Sequence, residues 1–153
     1  MTRFHCLFAG LALAVVPHSA SAEVAFKFIT AGQAAQMVSG TKAPDGLAAD
    51  EQFSMTLRKR TVSSHVERHM GWNEELVIQE GTIVLNYGDK ATNEREIAPG
   101  EFNGDAIAGG KSVVMHPGDI VILPAGTWHE QVLQTPIMRY ILFKTTNKAA
   151  APK

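Results

Sequence analysis

Glu67-Arg68-His69-Met70-Gly71-Trp72-Asn73-Glu74, closed by a glycine at Gly81, is the stretch on which the reading of this chain turns. Its counterpart is Gly118-Asp119-Ile120-Val121-Ile122-Leu123-Pro124-Ala125-Gly126-Thr127-Trp128-His129. Both are strand-like runs punctuated by glycine and proline turns. The first carries one imidazole and two carboxylates on a hairpin, and the second brings another imidazole on a later strand. First-row divalent cations are commonly held by such a set of nitrogen and oxygen donors.

Strand alternation puts His65, Glu67 and His69 on one face. Successive neighbours on that face lie about 6.8 Å apart along the strand, which lets two of them converge on one ion. Glu67 and His69 therefore belong together, and His65 joins as fourth ligand only if the strand bends. Otherwise His65 lines the next layer, where an imidazole titrating near neutrality can serve as general acid or base. Glu67 has a second reading, as an inward carboxylate that binds substrate or acts as a base. Glu74 follows the corner at 70–73, with Glu75 as its rival. The expected set is Glu67, His69, Glu74 and His129 around one divalent cation. Two imidazoles and two carboxylates suit iron, manganese or zinc and disfavour copper(I), which prefers sulfur.

These two segments resemble the two signature motifs of the cupin superfamily, and the likeness runs from Phe53 to Lys144. The usual first motif opens with His-x-His; here Glu67 takes the first position, while His69, Glu74 and Gly81 match. The second matches at Gly118, Pro124, Gly126 and His129 but has Leu133 where an asparagine is usual. The pattern is most similar to small secreted single-domain cupins. The resemblance implies an all-β, single-domain jelly-roll barrel with a bound metal, and cupin barrels often pair as homodimers. It does not imply a reaction.

Around the barrel, residues 1–22 read as a signal peptide. Arg3 gives a positive start, residues 7–16 an apolar stretch, and Ala20-Ser21-Ala22 a small-residue cleavage site. The apolar run falls short of the roughly 20 residues a bilayer span needs. The expected product is exported, periplasmic or secreted, with no membrane span after cleavage near Ala22. Cleavage removes the only cysteine, Cys6, together with His5 and His18, so thiolate chemistry is excluded and His65, His69, His116 and His129 remain. A formal charge of −1 with no basic run argues against nucleic acid as a partner.

Residues 23–50 read as an N-terminal arm: a short strand at 23–29, a helix at 31–38 begun by a Thr30/Gln33 capping box, and a loop at 41–50. Residues 51–145 form the barrel. Within it, strands are expected at 53–58, 62–69, 75–80, 82–87, 112–115, 120–123, 128–133 and 138–144. The polar stretch 88–110 reads as an insertion loop, and 146–153 as a flexible tail. Gly81, Gly118 and Gly126 are turn residues requiring positive φ, and His116 beside Pro117 is a surface histidine.

For the pocket, Gln131 shares a face with His129, and Arg58 and Arg60 precede the ligand strand, where an inward arginine pairs a carboxylate bidentately. Tyr87 and Tyr140 are candidate walls. The expected function is metal-dependent chemistry of the oxygenase, lyase or isomerase type on a small anionic or oxygenated molecule. The alternative is a non-catalytic envelope protein that binds a small ligand or metal in the same pocket.

Overall fold

A computed structural model of the chain describes residues 28–37, 45–49 and 52–147. The expected signal peptide and most of the strand expected at 23–29 lie outside the described residues. After the helix α1 (Ala31–Met37), the chain runs through β1 (Asp45–Ala49), β2 (Phe53–Arg60), β3 (Val66–His69), β4 (Trp72–Glu80), β5 (Ile83–Gly88) and β6 (Ala91–Thr92). It continues with β7 (Arg95–Ala98), β8 (Glu101–Gly104), β9 (Ala106–Ile107), β10 (Lys111–Met115), β11 (Ile120–Leu123), β12 (Trp128–Leu133) and β13 (Met138–Thr146). Every strand pair is antiparallel.

Two sheets face each other. One has the order β1-β2-β13-β4-β11, the other β10-β5-β12-β3-β8-β7, and β6-β9 form a separate ribbon. Between the sheets sit Leu76, Ile78, Ile83, Leu85, Met115, Leu123, Met138, Tyr140 and Leu142. The alternation that builds this core is plain on β4, where Glu74, Leu76 and Ile78 are buried and Glu75 and Val77 are not. On β13 the buried row is Met138, Tyr140 and Leu142. Register pairs Glu74 with Lys144 and Leu76 with Leu142, so one inward row ends in a carboxylate and its neighbour in an ammonium.

The capping box at α1 is present: the Gln33 amide donates to Thr30 Oγ1 at 3.2 Å, and the Thr30 amide donates to Gln33 Oε1 at 2.9 Å. Gly81, at φ 86°, turns β4 into β5. A Cβ there would lie 2.1 Å from the Ile137 carbonyl oxygen, so only glycine fits. Gly118 and Gly126 also take positive φ, as expected.

Several readings need correction. The stretch 41–50 is not all loop, because residues 45–49 pair with β2 as an edge strand. Nor is 88–110 a plain insertion loop. It holds β6 to β9, and β8 adds to the sheet beside β3 with His69 opposite Glu101. The stretch at 62–69 is strand only from Val66; residues 61 and 62 bend. β13 runs on to Thr146, one residue into the expected tail.

Candidate metal centre

The Met70-Gly71 corner separates β3 from β4 and moves the chain from one sheet to the other. Glu67 and His69 thus approach from the six-stranded sheet and Glu74 from the five-stranded one. His129 arrives on β12, directly opposite Glu67 across the β3–β12 pair. The loop before it is tied to β3, with the Gly126 amide donating to the His69 carbonyl at 2.8 Å.

Donor atoms of Glu67, His69 and His129 all lie within 4.8 Å of one another. Glu74 bridges the two imidazoles through different oxygens: Oε1 is 3.4 Å from His69 Nε2, and Oε2 is 3.2 Å from His129 Nε2. Glu67 sits further out, with Oε2 4.0 Å from His69 Nε2 and Oε1 3.8 Å from His129 Nε2. The two rings are 5.5 Å apart between centroids and tilted by 51°. The acidic residue beside the imidazoles is Glu74. Glu75 belongs to the other face of β4, where its Oε1 accepts from Thr145 Oγ1 at 3.2 Å.

Each ring is oriented from behind. His129 Nδ1 lies 3.1 Å from the Thr127 carbonyl oxygen, which can only accept, so Nδ1 holds the proton and Nε2 offers a lone pair. His69 Nδ1 meets the Glu101 carboxylate, with the same result. His129 Nε2 is buried and makes no hydrogen bond, despite its closeness to Glu74. Lone pairs and carboxylates gathered without bonding one another are what a divalent ion requires, and the residues fit such a group.

The electrostatics agree. Burial favours a neutral Glu74, but His129, Lys144 and His69 outweigh it and hold the carboxyl well below the usual carboxylate range. Lys144 Nζ is 2.7 Å from Glu74 Oε1. Burial also works against charge on His129, yet the Glu74 and Glu67 carboxylates and the Thr127 carbonyl raise its pKa above that of an ordinary imidazole. The field at the convergence point favours positive charge.

The remaining predicted residues divide. His65 precedes β3 and is solvent-exposed, and its side chain makes no hydrogen bond or ion pair with the cluster among the described residues. Arg58 and Arg60 share the inward face of β2 with Tyr140 and Met138 of β13. Arg60 Nε donates to Tyr140 Oη at 3.1 Å, whereas Arg58 Nε donates to Thr56 Oγ1 at 3.3 Å. Gln131 is buried two residues from His129, its Oε1 without a hydrogen bond among the described residues. Tyr87 pairs with His129 across β5–β12 and borders a surface cleft of about 240 Å³ that includes none of the cluster. His116 is exposed, as expected.

Sequence reasoning missed Glu101 and Lys144. Nothing in the sequence ties Glu101 to His69, since only the β3–β8 pairing joins them. Lys144 was findable, because it keeps the two-residue phase of Met138, Tyr140 and Leu142.

The sequence matches no protein-family model and no curated protein. Solved structures do match. A Bacillus halodurans protein superposes with a TM-score of 0.58 at 14% identity, covering 79% of this chain and 82% of that one. A Neisseria meningitidis protein gives 0.54 at 14%, covering 78% and 99%. A cupin-2 domain protein of Shewanella frigidimarina gives 0.53 at 14%, covering 76% and 93%. The fold is that of a cupin. In this barrel the candidate ligands occupy both facing sheets, with Glu67 where the commoner cupin motif has histidine.

Proposed function

We propose that this cupin binds one divalent cation, iron, manganese or zinc, through Glu67, His69, Glu74 and His129, and acts on a small anionic or oxygenated molecule. The observation that carries the reading is the pair of Nε2 lone pairs aimed at two carboxylates, each ring held in its tautomer by an acceptor at Nδ1. When bound, the ion supplies Lewis acidity to an oxygen of the captured molecule. The chain's own residues shape the rest. Core side chains below the cluster keep water from one side, and Tyr140 and Gln131 carry polar atoms on the inward faces. The reaction class is of the oxygenase, lyase or isomerase type.

A second reading is a non-catalytic binding protein of the envelope. It is favoured by the exposure of His65, which leaves the cluster without the imidazole expected to move protons. Export as a chain starting at Glu23 belongs to both readings. So does a homodimer, which Val113, Val114, Ile120 and Ile122, exposed on the edge strands β10 and β11, support.

The deciding experiment is metal analysis of untagged protein, then oxygen-consumption and product assays across small acids and phenols. His69→Ala and His129→Ala should each abolish stoichiometric metal, and His116→Ala should not. Metal retained in His129→Ala would sink the site. Metal with tight ligand binding but no turnover would select the second reading.

A further inference from the structure

Arg60 is a cationic side chain beside the cluster, paired with Glu67 at 3.9 Å, whose terminal nitrogens make no hydrogen bond among the described residues. Lys144 is taken up by Glu74 at 2.7 Å, and Arg68 stacks over Phe102 and Trp128 while it pairs with Glu94. Arg60 is held differently. Its Nε donates to Tyr140 Oη at 3.1 Å, and Tyr140 is fixed in the core with 1% of its surface exposed. That bond pins one edge of the guanidinium. The terminal nitrogens make no hydrogen bond among the described residues. The nearest carboxylate oxygen, Glu67 Oε1, is 3.9 Å from the terminal nitrogen Nη2, too far for one. The same Glu67 oxygen is 3.8 Å from His129 Nε2.

A planar fork, braced at Nε and open at its tips, is the geometry that receives a carboxylate through two parallel hydrogen bonds. Its place next to Glu67 sets the captured group within one ligand's width of the metal cluster. Charge points the same way. Glu67 and Glu74 together balance a divalent cation, so the positive charge of Arg60 and Lys144 is offset only by Glu101. A loaded site then attracts an anion.

Resting on the metal reading above, we propose that Arg60 is the anion anchor of this site. Its ligands are small carboxylic acids with a second oxygen next to the carboxylate, that is, 2-hydroxy and 2-oxo acids. The carboxylate sits on the guanidinium, and the neighbouring oxygen faces Glu67, His69 and His129. Arg58 is not assigned this role, since among the described residues it forms no ion pair with a carboxylate of the cluster, whereas Arg60 reaches Glu67.

Zinc-loaded protein, with zinc content measured in every sample, is titrated calorimetrically with lactate and oxalate and with their uncharged amides, lactamide and oxamide. The acids should bind at least about tenfold more tightly than the amides, the size of one charge-assisted contact. Arg60→Gln should reduce that preference to within about threefold while zinc stoichiometry stays at the wild-type value. Arg60→Lys should recover part of it, as a point charge without the fork. Tyr140→Phe keeps the core filled and frees only Nε, so it should weaken acid binding without changing amide binding; it also covers the case in which Arg60→Gln does not fold. Equal affinity for acids and amides in zinc-loaded wild type would overturn the anchor and leave the metal site standing. An unchanged acid preference in Arg60→Gln or, if that variant does not fold, in Tyr140→Phe would do the same. Failure of the wild type to take up zinc would overturn both.

Discussion

His69 and His129 are oriented by unlike partners, and the difference has a measurable consequence. The Thr127 carbonyl fixes the tautomer of His129 but carries no net charge. The Glu101 carboxylate fixes His69 and also makes its Nε2 a stronger donor, as carboxylates behind metal-binding histidines do. Glu101→Gln preserves an acceptor oxygen and removes the charge. Zinc affinity should then drop about tenfold, and in Glu101→Ala closer to 100-fold, in competition with a chelating dye. An unchanged dissociation constant in both variants would make Glu101 idle. A pH effect follows from His129. Its pKa is raised against burial by Glu74 and Glu67, so the proton holds the Nε2 lone pair to higher pH than in a free imidazole. Metal must displace that proton, and affinity should climb as pH rises from the ordinary imidazole range upward. Titrations showing affinity flat across that range would contradict it. At this scale Glu67 and His69 were legible from a strand's phase, and Glu74 and His129 from the motif positions they occupy. Glu101 was not, because its partner lies 32 positions away in sequence and no local pattern records such a meeting.

Among the elements, the β4–β5 turn is the most exacting. Gly81 combines a φ of 86° with a Cβ position 2.1 Å from the Ile137 oxygen and 2.7 Å from Thr135 Oγ1. Gly81→Ala should destabilise the fold by more than about 2 kcal/mol, the sum of a left-handed backbone cost and a displaced neighbour. Denaturant unfolding measures it, and a loss below about 0.5 kcal/mol would mean that the turn rearranges freely. Strands β11 and β12 fall where the sequence placed them, and β4 and β13 extend beyond the expected ranges by a few residues. On β4 and β13 one face packs into the core and writes a two-residue period into the sequence. Strand β7 is exposed at all four positions, so no such period exists there to be read. Strand β1 carries aspartate and glycine and is held by pairing with β2 rather than by propensity.

For the molecule as a whole, the two-sheet architecture was legible because turn glycines and alternating strands agree with each other across most of the barrel. The link between residues 88–110 and the site was not, since it depends on where β8 docks. That docking also decides how the polar excursion relates to metal: the segment carrying Glu101 is the one that holds His69 in place.

One further consequence lies in where the four candidate ligands are rooted. Glu74 belongs to one sheet, and Glu67, His69 and His129 belong to the other. A cation shared among them is a clasp, fastening two walls that otherwise meet through apolar packing and a few polar pairs between the sheets. Removing it with a chelator should speed amide hydrogen exchange on β3, β4 and β12 together, by about 100-fold where the ion had been present at 100 times its dissociation constant. Strands remote from the clasp, such as β10, should follow only to the extent that they open with the whole barrel. Exchange that quickens on β3 alone would describe a pendant ion, hung on one wall and fastening nothing.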